Sequence, residues 1–173
     1  MRRWNYSFSP LYVVGFLCFL STAMAQVQNA PPAIAATLVI KLAAFEKTLS
    51  SGGDLQIYVL GDSKVANELQ KGVGSAVGQA RLARVLSGSD LPAARPSILF
   101  VGSAAKLQET VSYTRTQKIL SVTAQPELVQ RGVTLGVGIG NDGKPKVLLN
   151  LSSTVEENLS WNPAVMKIAK TIQ

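Results

Sequence analysis

The sequence predicts an α/β fold: a single-domain three-layer sandwich whose mixed, mostly parallel sheet holds about five or six strands. It should end in an antiparallel hairpin and a C-terminal helix. Three observations carry this. Short β-rich apolar runs alternate with segments of helical period along most of the chain. Ser97 to Val101 (SILFV) reads as a strong buried strand, and Val147, Leu148, Leu149 and Leu151 form a more continuous apolar run, as in a strand buried on both faces. Near the end, Val133, Leu135, Val137 and Ile139 alternate with Thr134, Gly136, Gly138 and Gly140, which is the period of a strand with one buried face.

The chain opens with Arg2 and Arg3, then the apolar run Leu11 to Leu20 (LYVVGFLCFL), then Ala23-Met24-Ala25. This is the order of a secretory signal peptide, with cleavage expected between Ala25 and Gln26. The apolar run is about half the ~20 residues that a spanning helix needs, so a retained membrane anchor is disfavoured. The sole cysteine, Cys18, lies inside residues 1–25, so the exported chain would hold no thiol or disulfide. What remains is one domain, long enough to bury roughly 68–70% of its unfolded surface.

Residues 26–32 are polar and Pro-containing and are expected to be a flexible leader, followed by the domain over 33–173. Ile34, Leu38, Leu42, Phe45 and Leu49 recur at helical spacing, which predicts a helix over 33–49 stopped by Ser50-Ser51-Gly52-Gly53. Leu55 to Leu60 (LQIYVL) reads as the first strand. Asp62 or Ser63 can cap the helix that carries Val65 and Leu69. Ala76 to Leu86 fits a helix or a strand, and the turn-rich stretch that follows favours the strand. Gly102-Ser103 opens a helix with Leu107, Val111 and Thr114 on one face. Ile119 to Val122 is another strand, and Pro126 starts a helical turn that ends near Arg131-Gly132. Asn141-Asp142-Gly143 is turn chemistry between the last two strands, the second running through Val147, Leu148, Leu149 and Leu151. Pro163 suits the first turn of a closing helix on which Val165, Met166, Ile168, Ala169 and Ile172 cluster.

Catalytic readings fare poorly. The chain has 17 basic and 10 acidic residues and no histidine. Gly61-Asp62-Ser63 after a strand resembles the way some serine esterases present a nucleophile, but no histidine exists to take the proton. Adjacent helical residues do not face each other, so Lys64 is a poor substitute base. Ser63 is better read as a cap. Gly136-Val137-Gly138-Ile139-Gly140 lies within a strand rather than between strand and helix, so it reads as close approach of another backbone, not as a phosphate loop. With no histidine and no exported cysteine, only oxygen ligands remain, and Asp54, Asp62, Asp90 and Glu156-Glu157 lack calcium-loop spacing. No catalytic residue, metal or cofactor is expected. Glu156-Glu157 reads as a solvated helix face. Asn150-Leu151-Ser152 and Asn158-Leu159-Ser160 match glycosylation sequons, a triplet common by chance. Trp161 either plugs the core beneath the last helix or stands exposed as a contact anchor. The scattered bases give no nucleic-acid signature; a mild attraction to acidic surfaces fits better. A binding or interaction module is what the residues favour.

From Ser97 to Lys170 the chain resembles the YfiR-like family of periplasmic proteins. Strand, helix, ILSVTA, a short polar helix, RGVTLGVGI, a turn, and KVLLNLSSTVEENLSWNPAVMKIAK follow the family pattern. Gly132, Leu135, Ile139, Val147, Asn150, Leu151, Leu159, Ser160, Met166, Ile168 and Ala169 fall at matching positions; Gly132, Asn150, Leu151, Leu159 and Ser160 are structural signature residues. Ser50 to Gly53 stands where relatives often have Trp-Pro, and the cysteines of several relatives are missing. The resemblance implies a periplasmic repressor that binds the periplasmic sensor domain of a membrane-anchored diguanylate cyclase, lowers cyclic di-GMP signalling and biofilm formation, and is not itself membrane-spanning after cleavage. It extends to homodimerisation. The α/β sandwich alone supports a second reading, a periplasmic small-ligand sensor with Gly61-Asp62-Ser63 and Gly102-Ser103 at the rim of its site.

Overall fold

The computed structural model describes Met1 and residues 27–173. The expected cleavage point at Ala25 and Gln26 lies outside the described residues.

Among the described residues nine strands form one mixed sheet. They are β1 (Gln28–Asn29), β2 (Gly53–Leu60), β3 (Ala76–Val77), β4 (Ala80–Gly88), β5 (Ile98–Val101), β6 (Leu120–Thr123), β7 (Leu135–Ile139), β8 (Pro145–Asn150) and β9 (Ala169–Ile172). The order is β3-β4-β2-β5-β6-β7-β8-β9, with β1 beside β7. Strands β4, β2, β5, β6 and β7 run parallel, and β8 returns antiparallel to β7 across the Asn141–Gly143 turn. The class is the one expected. The strand count exceeds the five or six read from periodicity because β1, β3 and β9 are too short or too polar to show a period.

Helices cover both faces. On one side lie α1 (Pro32–Ala43) and α2 (Ser63–Gln70), packed on Ile57, Val59, Leu82, Phe100, Val122 and Leu149. On the other lie α3 (Leu107–Gln117) and α4 (Pro126–Gln130), closing a smaller cluster of Val101, Leu107, Val111, Leu128 and Val133. The period of each element explains its placement: Val65, Ala66 and Leu69 of α2, and Leu107, Thr110, Val111 and Thr114 of α3, are the buried residues of their helices. Asp62 caps α2 by accepting the Val65 N–H at 3.0 Å. Ala76 to Leu86 is extended, as its flanking turns suggested, but as two antiparallel strands, β3 and β4, joined by a turn at Gly78-Gln79 rather than as one.

Four expectations change. Gln28 and Asn29, expected in a loose leader, pair antiparallel with Ile139 and Gly138. Strand β6 reaches only Leu135 and Gly136 of β7, so the rest of that edge is free to take β1. Gly138 makes this approach feasible: a Cβ there would lie 2.7 Å from the Gln28 carbonyl oxygen. The first helix stops at Ala43 instead of reaching Leu49, which begins a short 3-10 turn (Leu49–Ser51). Phe45 and Leu49 nevertheless pack on the core. Leu151 does not extend β8; it starts α5 (Leu151–Glu156), because Asn150 caps a helix there. The closing helix α6 (Pro163–Ile168) is one and a half turns long and gives way to β9, whose Ala169 to Ile172 pair with Val147 to Asn150. The apolar spacing that suggested a longer helix is equally served by an edge strand beside β8.

Candidate functional site

The carboxyl-terminal segment, from Asn150 through α5, α6 and β9, differs from the rest of the domain. It shows apolar side chains to solvent while its backbone is pinned by buried polar groups. Val155 is 77% exposed, Met166 43% and Ile168 56%. Strand β9 is the last of the sheet, and among the described residues nothing pairs with its outer edge. Residues 158–173 carry Lys167 and Lys170 and no acidic side chain. Such a surface fits a protein partner with apolar and acidic groups, and a free strand edge can accept a further strand.

The pins start at Asn150. Its Oδ1 accepts the Ser153 N–H at 2.9 Å, capping α5, and its Nδ2 donates to the Val129 carbonyl at 2.8 Å. Ser153 Oγ donates to the Gly132 carbonyl at 2.9 Å. The loop after α4 and the start of α5 are therefore tied together through two of the signature residues. Gly132 has φ +110°, a conformation that favours glycine.

Glu157, next to the end of α5, is buried instead of lying on a solvated face. Its carboxylate accepts the Ser121 N–H (3.0 Å), the Ser121 hydroxyl (2.6 Å) and the Thr134 hydroxyl (2.6 Å). No cation pairs with it among the described residues. Burial pushes its carboxyl above the ordinary 4.5, while the Ser121 and Thr134 hydrogen bonds pull the other way. Its neighbour Glu156 does face outward and pairs with Arg115 at 2.8 Å.

A second buried carboxylate, Glu46, reaches the same segment from the end of α1. It accepts the Leu49 N–H at 2.7 Å and the Ser160 N–H at 2.9 Å. Around it the chains zip together: Lys47 N–H donates to the Ser160 carbonyl and Asn162 N–H to the Phe45 carbonyl. Trp161, paired to Glu46 across this bridge, is half-buried against the core, and its Nε1 donates to Thr154 at 3.3 Å. It thus packs on the core with part of its surface still open. Leu151 and Leu159 are also half-buried on the core. Asn162 caps α6 by accepting the Ala164 N–H.

Of the sequon asparagines, Asn150 is buried and committed to hydrogen bonds, and Asn158 is exposed with φ +57°. Sequence reasoning missed Glu46 and misread Glu157. For Glu157 the available signal was electrostatic, since it caps the carboxyl end of α5, where the macrodipole disfavours an acid; Glu46, past the end of α1, carries no such signal.

Elsewhere, at the carboxyl ends of β2 and β4, Gly61, Asp62, Ser63, Ser87, Gly88 and Ser89 line an open hollow of about 280 Å³. Sheet order reverses here, with β4 and β5 on opposite sides of β2. A Cβ on Gly61 would lie 3.1 Å from the Ser103 Cβ, so the two expected rim loops meet. Ser63 has no base beside it that could activate it: its hollow contains only glycines, serines and Asp62, and that carboxylate caps the helix. No helix of the described residues is long and apolar enough to cross a membrane.

Three comparisons bear on this geometry. The sequence model of the YfiR/HmsC-like family matches residues 32–170. No curated protein matches the chain. A solved structure of a conserved domain protein from Vibrio cholerae O1 biovar El Tor is similar, with a TM-score of 0.54 and 11% identity. The match covers 84% of this chain and 61% of that one, so this chain spans less than two thirds of its length and the likeness concerns the fold alone.

Proposed function

Because this chain belongs to the YfiR/HmsC-like family, we propose that it is a periplasmic regulator that represses an inner-membrane diguanylate cyclase by binding the cyclase's periplasmic sensor domain. In this reading residues 1–25 are a signal peptide removed after Ala25, and residues 33–173 are the working domain. The observation that carries the partner-binding step is the carboxyl-terminal segment, with Val155, Met166 and Ile168 exposed beside the unpaired edge of β9. Exposed apolar groups on one segment beside a free strand edge are what a protein partner would cover.

The protein would make no cyclic di-GMP. It would hold a two-state receptor in its inactive form, and its leverage would equal its differential affinity for the two states. Rigid pinning of the docking segment by Glu46, Asn150 and Glu157 reduces the ordering cost of binding. The test is a deletion strain complemented with the full chain. Cyclic di-GMP should rise on deletion and fall on complementation, and the exported protein should co-purify with a membrane-anchored cyclase. Unchanged cyclic di-GMP and unchanged surface attachment in the deletion strain would sink the reading.

A second reading, a small-ligand sensor, draws support from the hollow at the ends of β2 and β4. A thermal-shift screen of periplasmic metabolites with no stabilising compound would count against it. A third, hydrolysis at Ser63, would need esterase activity that Ser63→Ala abolishes.

A further inference from the structure

We propose that the groove between α3 and the end of α4 is a binding site for a phosphate group. About 440 Å³ in volume, it is lined by Gln108, Val111, Ser112, Arg115 and Thr116 of α3 and by Arg131. Two guanidinium groups from different elements thus face one hollow whose lining holds no carboxylate. Arg131 makes no ion pair among the described residues. Arg115 spends Nη2 on Glu156, and its Nε is the one buried side-chain nitrogen or oxygen without a hydrogen-bond partner among the described residues. That Nε is closed off from solvent, so what Arg115 offers a ligand in the open groove is the rest of its guanidinium, on a side chain 35% exposed.

The packing brings the two cations together. A Cβ on Gly132 would lie 3.2 Å from Arg115 Nη2, so the Arg115 side chain rests against the residue next to Arg131. Two hydroxyls and an amide complete a donor-rich lining. That set suits a tetrahedral oxyanion with several oxygens approached from different sides, for which paired arginines are well shaped. The neighbouring hollow shares Gln108 and Arg131 but adds Glu109, and its Lys106 is already paired with Asp90 at 2.6 Å, so the anion belongs on the Arg115 side. Glu156, at the end of α5, competes with the ligand for Arg115. Occupancy would therefore bear on the docking segment, although the site itself does not depend on the partner proposed above.

The phosphate could be free or part of a lipid headgroup. Three probes separate these sources: inorganic phosphate, glycerol phosphate, and phosphatidylglycerol vesicles, each titrated into the exported chain at constant ionic strength by calorimetry or tryptophan fluorescence. Saturable binding of inorganic or glycerol phosphate is expected. Arg131→Ala and Arg115→Lys should each weaken it roughly tenfold or more, the latter because it keeps the charge and loses the fork. Glu156→Gln should tighten it several-fold. Vesicle binding with the same arginine dependence, without binding of the small phosphates, would assign the site to a lipid headgroup. Absence of saturable binding for all three probes overturns the proposal. So does binding that Arg131→Ala leaves unchanged, or an equal loss in Lys64→Ala, which would mark general charge attraction.

Discussion

The centre of the sheet and its carboxyl-terminal segment are held by different forces. Strands β2 and β5 are held by apolar burial: Ile57, Val59, Ile98, Leu99, Phe100 and Val101 are inaccessible to solvent or nearly so. The segment from Asn150 to Ile172 contributes one fully buried apolar side chain, Val165, and is fixed instead by Asn150, Glu157 and the distant Glu46. Apolar packing is non-directional and strong, and it yields a core. Buried polar contacts are directional, and they fix a backbone in place while leaving its apolar side chains free for a partner.

The contrast can be broken first at its apolar end. Phe100→Ala should cost about 3–5 kcal/mol of stability through cavity formation. In urea denaturation the midpoint should fall sharply, yet the molecules that remain folded should bind the proposed sensor-domain partner with unchanged affinity. A loss of affinity out of proportion to the unfolded fraction would show that the two regions are not separable.

Glu157→Ala attacks the other end. It leaves the Ser121 and Thr134 donors without their acceptor in a buried site, at a cost of about 3 kcal/mol. Here affinity for the partner should fall beyond what global stability explains, and amide exchange should quicken in α5 before it does in β5. Uniform quickening across the domain would mean that Glu157 is simply part of the core.

Glu157→Gln sharpens the comparison through pH. The folded-state carboxyl titrates above its ordinary 4.5 because burial penalises the charge. The folded protein therefore holds this proton more tightly than the unfolded chain does. Its stabilising contribution is complete below the unfolded value and is lost as pH rises through the folded one. The native chain should accordingly lose stability relative to Glu157→Gln as pH is raised from about 4 towards neutrality. Urea titrations of both proteins across that range check this; a native advantage that grows with pH would reverse the sign and refute the assignment.

How much of this was legible beforehand follows from the range of the contacts. The buried strands and the faces of α2 and α3 repeat within a few residues, and the sequence shows them. Gly138 showed that a backbone comes close, but not that Gln28 and Asn29 supply it, since they have no period of their own. Asn150 and Gly132 were visible as signature residues without their hydrogen bonds. Glu157 closes on Ser121 at a separation of 36 residues and Glu46 on Ser160 at 114, so neither leaves a local pattern. A run of two acids also looks like a solvated face whichever of them turns inward.

The smallest effect on stability should come with the largest on function. Ile168→Asp places a charge at a side chain that is already 56% exposed, so stability should shift by no more than about 0.5 kcal/mol. At a docking face the same charge meets apolar and acidic groups, and affinity for the sensor domain should fall at least about tenfold. Leu86→Asp is the matched control: Leu86 is 41% exposed on β4, near the opposite edge of the sheet. Equal losses at both positions would mean that any exposed apolar residue of this domain serves docking. Loss at Ile168 alone would confine docking to the end of the sheet where carboxylates, rather than a core, hold the chain.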